Sequence, residues 1–311
     1  MLDVRRLRVL REVAAHGSFS AAADALSYTQ SAVSQQIAAL EREADARLVE
    51  RSARGVRLTD AGRALVTHAD AILARLADAE EELQAIAGLR GGHLRLAAFP
   101  SACSTLMPLA VARFRERHPG VDLSLQPAEP PDGIRMLRSG DCDLALTIET
   151  TFGGAPEGDL DRVTLLDDPM YIMLPRDHPQ ADCTRLRLAE LADESWMIGT
   201  AGHCPDASIF LRACQAAGFE PRIAFHLDDY HAIQGFVAAG MGVSFIPDLA
   251  LNAVRDDVVV RSLGARPPVR RIVATTLTGS FCSPAKQAML DVLVEVAAEF
   301  GVRRTELALA S

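Results

Sequence analysis

Apolar positions recur every three or four residues through the first 87 positions and then change rhythm. Asp3 is placed to cap a first helix whose inner stripe is Leu7, Leu10, Val13 and Ala14, and Gly17 ends it. Ser20 reads as the start of a second helix built on Ala21, Ala22, Ala23, Ala25 and Leu26. The run Ser27-Tyr28-Thr29 breaks it, and Thr29 caps a third helix expected over Gln30 to Glu43. There Val33, Ile37 and Leu40 make one buried stripe, while Gln30, Ser31, Ser34 and Gln35 share the opposite face. These four are uncharged, and each both donates and accepts hydrogen bonds.

A long helix is expected from Thr59 or Asp60 to about Ala87, where Gly88, Gly91 and Gly92 stop it. Its positions Leu65, Ala69, Ile72, Leu76, Ala79, Leu83 and Ile86 alternate spacings of four and three, the 3.5-residue seam of a coiled coil. A helix packed only on its own domain shows a broader stripe, so the pattern points to a dimer through this helix. From His93 the texture becomes alternating strands and helices. Strands are expected at residues 94–98, 121–125, 144–148, 170–174, 196–198, 223–227, 243–246 and 269–276. Helices are expected at residues 106–117, 133–138, 207–217, 231–239 and 284–300. The β-α-β-α-β order predicts a parallel sheet covered by helices. A second α/β unit begins near Val163, and the last strand and helix return to the first sheet. Crossings near residues 162 and 268 would make two hinged subdomains with a cleft between them.

Composition narrows the reading. The chain has 311 residues, 49% of them hydrophobic, which suits two or three globular domains. No apolar run approaches about 20 residues, so no membrane span is expected, and the N-terminus lacks a signal peptide's apolar core, so a cytoplasmic protein is expected. Residues 1–58 hold nine arginines against seven acids, although the whole chain carries a formal charge of −9. Arg47, Arg51, Arg54 and Arg57 fall around a turn-like S-A-R-G, a placement suited to phosphates and the minor groove. A helix-turn-helix followed by a basic wing therefore predicts double-stranded DNA as a partner, with Gln30, Ser31, Ser34 and Gln35 facing bases and Arg51, Arg54 and Arg57 facing the backbone.

Four segments, G-S-F-S-A-A-A-D-A-L (17–26), S-Q-Q-I-A-A-L-E (34–41), R-L-V-E-R (47–51) and L-T-D-A-G (58–62), resemble the N-terminal signature of LysR-type transcriptional regulators. Residues 140–146, 174–179 and 236–247 resemble the effector-binding half of the same family, itself similar to periplasmic solute-binding proteins. The resemblance covers nearly all of residues 1–300. It implies an α plus α/β fold: a winged helix-turn-helix (1–58), a linker helix (59–90), effector subdomain 1 (91–162 and 268–300) and effector subdomain 2 (163–267), with 301–311 as a tail. It also implies a dimer of dimers, hence a homotetramer, that bends promoter DNA in response to a small-molecule effector. In the family the residues matching Gln30, Ser31, Ser34 and Gln35 commonly face bases. Position 31 is often proline there and position 35 often arginine, so the preferred DNA sequence does not transfer. Asp45 stands where the family usually has glycine, and Val49 where it usually has a bulky aromatic.

Ligands of such sheets sit beyond strand carboxyl ends, near helix N-termini. One lip of the cleft is expected from Ser101, Ala102, Glu129, Pro130, Thr147, Ile148, Glu149 and Thr150, and the other from Thr200, His203, Cys204 and the stretch Asp228 to His231. Ser101 aligns with a family position that often touches the effector. Ser104 and Thr105 fit either an anion cradle or plain helix capping. The acids Glu129, Glu149, Asp228 and Asp229 would favour a cationic or hydroxyl-rich ligand, or serve only as caps and solvated charges. G-H-C at 202–204 resembles the setting of the reactive cysteine in peroxide-sensing members, with Cys214 as the resolving partner; a core role for Cys214 stays open beside it. The six cysteines and eight histidines form no metal-ligand motif, and no nucleophile elbow, Walker loop or dinucleotide fingerprint occurs. Neither a metal, a cofactor nor an enzymatic activity is expected. A solute-binding protein would explain the second half but not the first 90 residues.

Overall fold

The computed structural model describes residues 1–52, 55–86, 92–149, 158–199, 205–264 and 267–309. They gather into two compact units, one of Met1–Gly88 with Met136–Asp141, the other of Leu89–Arg135 with Cys142–Ser311.

In the first unit, helix α1 (Val4–His16) begins at Asp3, whose carboxylate accepts from the Arg5 amide, and ends at Gly17 in a left-handed conformation. Helix α2 (Phe19–Leu26) is capped by Ser18, two residues before the expected start, because the Ser18 hydroxyl reaches the Ala21 amide and leaves Phe19 inside the helix and buried. Helix α3 (Gln30–Ala44) is capped by Thr29 as expected. Leu7, Leu10, Val13, Phe19, Val33, Ile37 and Leu40 close into one core. A two-stranded wing, β1 (Val49–Ser52) and β2 (Gly55–Leu58), follows, and then the 27-residue helix α4 (Asp60–Ile86).

The second unit is built on one nine-stranded sheet, ordered β4-β3-β5-β11-β6-β9-β7-β8, with β10 also paired to β6. Strands β3 (His93–Ala98), β4 (Asp122–Pro127) and β5 (Leu144–Glu149) run parallel in the first lobe. The sheet as a whole is mixed rather than parallel. The long β6 (Leu160–Pro175) and β11 (Val269–Leu277) run antiparallel to each other, and β11 is antiparallel to β5. The expected strand 170–174 is only the second half of β6, which continues through both lobes. Its first half pairs with β11, and its second half pairs with β9 (Val243–Pro247) and β10 (Val258–Ser262). Strands β7 (Ser195–Ile198) and β8 (Arg222–His226) complete the second lobe.

Burial follows position. β5 and β9 are apolar and buried nearly end to end, while the outer strands β4 and β8 are largely exposed. Helices α5 (Pro100–Ser104), α6 (Leu106–Arg117) and α10 (Pro284–Leu309) belong to the first lobe, as does the start of α7 (Pro130–Ser139), and α6 and α10 supply Met107, Phe114, Met289 and Val296 to its core. Helices α8 (Pro205–Ala216) and α9 (Tyr230–Ala238) lie in the second lobe, where Trp196, Phe210 and Phe245 pack in one core and Met197, Ile233 and Ile246 in another. α10 runs to Leu309, past the expected end at Phe300, and takes in most of the expected tail.

Candidate functional site

The outward face of α3 is set by its own core stripe. Val33, Ile37 and Leu40 are buried, and the 100° turn per residue sends Gln30, Ser31 and Gln35 outward, with Ser34 half-buried. Thr29 Oγ1 accepts from the Ala32 amide at 3.2 Å and lies 3.0 Å from Ser31 Oγ, which fixes the head of the helix. The wing is tied to the same helix, since Glu41 Oε1 accepts from the amides of Leu48 (2.9 Å) and Val49 (3.3 Å). Gly17 O accepts from Val56 at 2.8 Å, and a Cβ on Gly55 would stand 2.7 Å from that oxygen. At that point only glycine lets the wing lie against the α1–α2 turn. Val49 is buried at the edge of the core. Arg57 is exposed, the backbone of Arg51 lies in β1, and Arg54 is outside the described residues.

On α4, Ala69 is buried and Leu65 is packed against the first core, whereas Ile72, Leu76 and Leu83 are exposed by 41%, 42% and 66%. The first part of the expected seam thus serves the chain's own core, while Ile72, Leu76 and Leu83 stand in solvent. Ala79 is exposed with them.

Where the two lobes meet in the second unit, a cleft of about 500 Å3, its open mouth included, is lined by residues from both. Of the expected residues, Ser101, Glu129, Ile148 and Asp228 line it. Ala102 is buried in the first-lobe core, Pro130 is buried at the head of α7, and Glu149 is exposed with Arg271 Nη1 at 3.9 Å. None of these three is in the lining. Thr147 turns away from the cleft, buried, with its hydroxyl 2.7 Å from Thr275 Oγ1. Thr150, Thr200, His203 and Cys204 lie outside the described residues. Ser104 and Thr105 donate to Ser101 O at 3.0 and 2.6 Å, and the Thr105 side chain makes no cap bond to the amides of α6. Asp229 caps α9 through the amides of His231 and Ala232.

The residue that organises the cleft was not expected. Arg270 on β11 is 1% exposed. Its Nε donates to Asp168 Oδ2 at 2.8 Å, Nη1 to Asp206 Oδ2 at 3.0 Å, and Nη2 to Ser101 Oγ at 2.7 Å. The guanidinium carbon sits 5.1 Å from the centre of the Phe99 ring. Burial works against this charge, but Asp206 and Asp168 outweigh it and hold the guanidinium protonated well above its usual range. Tyr230 donates to Asp206 Oδ2 at 2.5 Å, and Asp168 Oδ1 accepts from the Leu249 amide. A charged residue in an otherwise apolar strand, V-R-R-I-V-A, was the available signal for Arg270. Its partners could not be read off, because they sit 102, 64 and 169 positions away. Glu129 is pushed up to about 7 by burial, with Asp206 and Asp228 adding to the shift.

Cys214 is fully buried among Trp196 and Phe210, and burial pushes its thiol up to about 12, the reverse of an activated thiol. Among the described residues no group of three His, Cys, Asp or Glu side chains is arranged to hold a metal, and no helix is long and apolar enough to cross a membrane.

These features have counterparts in known proteins. Residues 4–63 match the bacterial regulatory helix-turn-helix of the lysR family, and residues 87–298 match the LysR substrate binding domain. The chain is 32% identical over 300 residues to LrrA of Synechococcus elongatus, named a probable HTH-type transcriptional regulator, covering 96% of this chain and 98% of that one. It is 30% identical over 274 residues to the transcriptional dual regulator GltC of Bacillus subtilis, covering 88% and 89%. The crystal structure of full-length CbnR with its target DNA superposes with a TM-score of 0.65 at 22% identity, covering 95% of this chain and all of that one. With both halves matched in order along nearly the whole length, the chain belongs to the LysR family of transcriptional regulators.

Proposed function

We propose that this regulator reads a palindrome-like promoter site as a homo-oligomer and changes its grip on DNA when a small molecule enters the cleft of the second unit. In this reading the 1–58 domain docks α3 in a major groove. Gln30, Ser31, Ser34 and Gln35 meet base edges there, and Arg51, Arg54 and Arg57 meet phosphates. The observation that carries it is the outward, uncharged, hydrogen-bonding face of α3 within a family-matched helix-turn-helix. The exposed Ile72, Leu76 and Leu83 support a dimer through α4, which would set two half-sites about 34–36 Å apart or a multiple of that turn. A homotetramer, formed as two such dimers, is part of the proposal, as are a cytoplasmic location and effector contacts at Ser101, Glu129, Ile148 and Asp228.

The test is fluorescence anisotropy with the chain's own promoter DNA against random duplex. Gln30→Ala and Ser34→Ala should each cost about 1–3 kcal/mol on the specific site and almost nothing on random DNA. Equal losses on both would remove α3 from the reading role.

A further inference from the structure

We propose that the cleft of the second unit takes a small organic cation, its ammonium group between Glu129 and Asp228 and its hydrocarbon against Phe99, Phe210 and Phe245. This rests on the reading of the cleft as the effector site and adds the class of ligand. Among the described residues the charged side chains that line the cleft are Glu129, Asp206, Asp228 and Arg270, with Asp168 directly behind. Four carboxylates thus surround one guanidinium. Two carboxylates, Asp168 and Asp206, already neutralise that guanidinium. It is buried, and its Nε, Nη1 and Nη2 each donate inside the protein.

A carboxylate ligand would find no uncompensated positive charge among the described residues and would meet an excess of negative charge. A cation meets the reverse. Among the described residues nothing donates a hydrogen bond to the Glu129 carboxylate, although it is largely buried and has two strong acceptor oxygens. The groups facing it are Asp206 from α8, Asp228 before α9, Arg270 from β11 and Asp132 on α7, which Glu129 precedes; three of the four are acids. An ammonium would satisfy Glu129 and relieve that repulsion together. The ring pair Phe210–Phe245, 5.4 Å between centroids, supplies an apolar wall beside it, to which Phe99, its ring already against the Arg270 guanidinium, adds.

Full-length protein is titrated calorimetrically, at matched ionic strength, with n-butylammonium chloride and with sodium butyrate, its mirror in charge. Butylammonium should bind and butyrate should not. Glu129→Gln and Asp228→Asn should each weaken butylammonium about tenfold, and Glu129→Asp should restore part of the affinity. The melting temperature of unliganded Glu129→Gln should stay at or above that of the parent chain, which separates lost binding from lost folding. Ile148→Trp, which fills the cleft, should abolish binding. If butyrate binds, butylammonium does not, and Ile148→Trp abolishes the butyrate signal, the cation is wrong while the cleft reading survives. If neither probe binds, or binding ignores Ile148→Trp, the inference falls along with the cleft reading.

Discussion

Asp45 holds φ at +48° as the residue that ends α3, its amide bonded to Glu41 O. L-residues with a Cβ strain there, and Gly does not. The sequence marked this position through its departure from the family's usual glycine, though nothing in the pattern told that the backbone would stay left-handed with Asp in place. Asp45→Gly should therefore stabilise the chain by about 0.5–1 kcal/mol in urea unfolding without changing DNA affinity. Glu129 gives a second prediction. Its native value of about 7 lies above the ordinary 4.5, so between those pH values the folded chain binds more protons than the unfolded one. Its contribution to stability is present below pH 4.5 and is lost as pH rises through 7. Glu129→Gln should flatten that slope and, after allowance for solvent screening, stabilise the protein by about 1 kcal/mol at pH 8. Urea melts at pH 5.5 and 8 decide it, and parallel slopes for the two proteins would contradict the assignment. The acids at 129 and 228 were legible as cleft residues because they follow strands. Arg270 was not, since an ion pair depends on chain segments that only the fold brings together.

Among the elements, helices were read most closely. α1, α3 and α4 start within a residue of expectation because capping side chains and apolar spacing are local signals. α2 slipped because Ser18 and Ser20 are equally good caps in sequence, and only the burial of Phe19 chooses between them. α5 and β10 were missed, since helices of five residues and strands beside a loop leave little periodicity to detect. β6 reads shorter in sequence because T-L-L-D-D-P breaks alternation where Asp168 turns inward to Arg270. The exposed stripe on α4 carries its own test. Leu76→Glu with Leu83→Glu should halve the mass of the proposed assembly in sedimentation, tetramer to dimer, and reduce affinity for the two-half-site promoter far more than for a single half-site. An unchanged sedimentation coefficient would assign dimerisation to another surface.

At the scale of the whole second unit, Arg270 ties together parts of both lobes. Ser101 belongs to the first lobe, Asp206 to the second, and Asp168 to a strand common to both. Arg270→Met would leave two carboxylates buried without their counter-charge, and should cost about 3–5 kcal/mol in urea unfolding. β6 and β11 add a mechanical consequence. One strand, β6, threads both lobes, paired with β11 in the first and with β9 and β10 in the second, which leaves no seam along which one lobe can come apart by itself. Native-state hydrogen exchange in rising denaturant should then show the amides of Leu96 and Leu146 merging with those of Met197 and Phe245 into a single opening isotherm, so that a molecule gripping either side slows exchange on both.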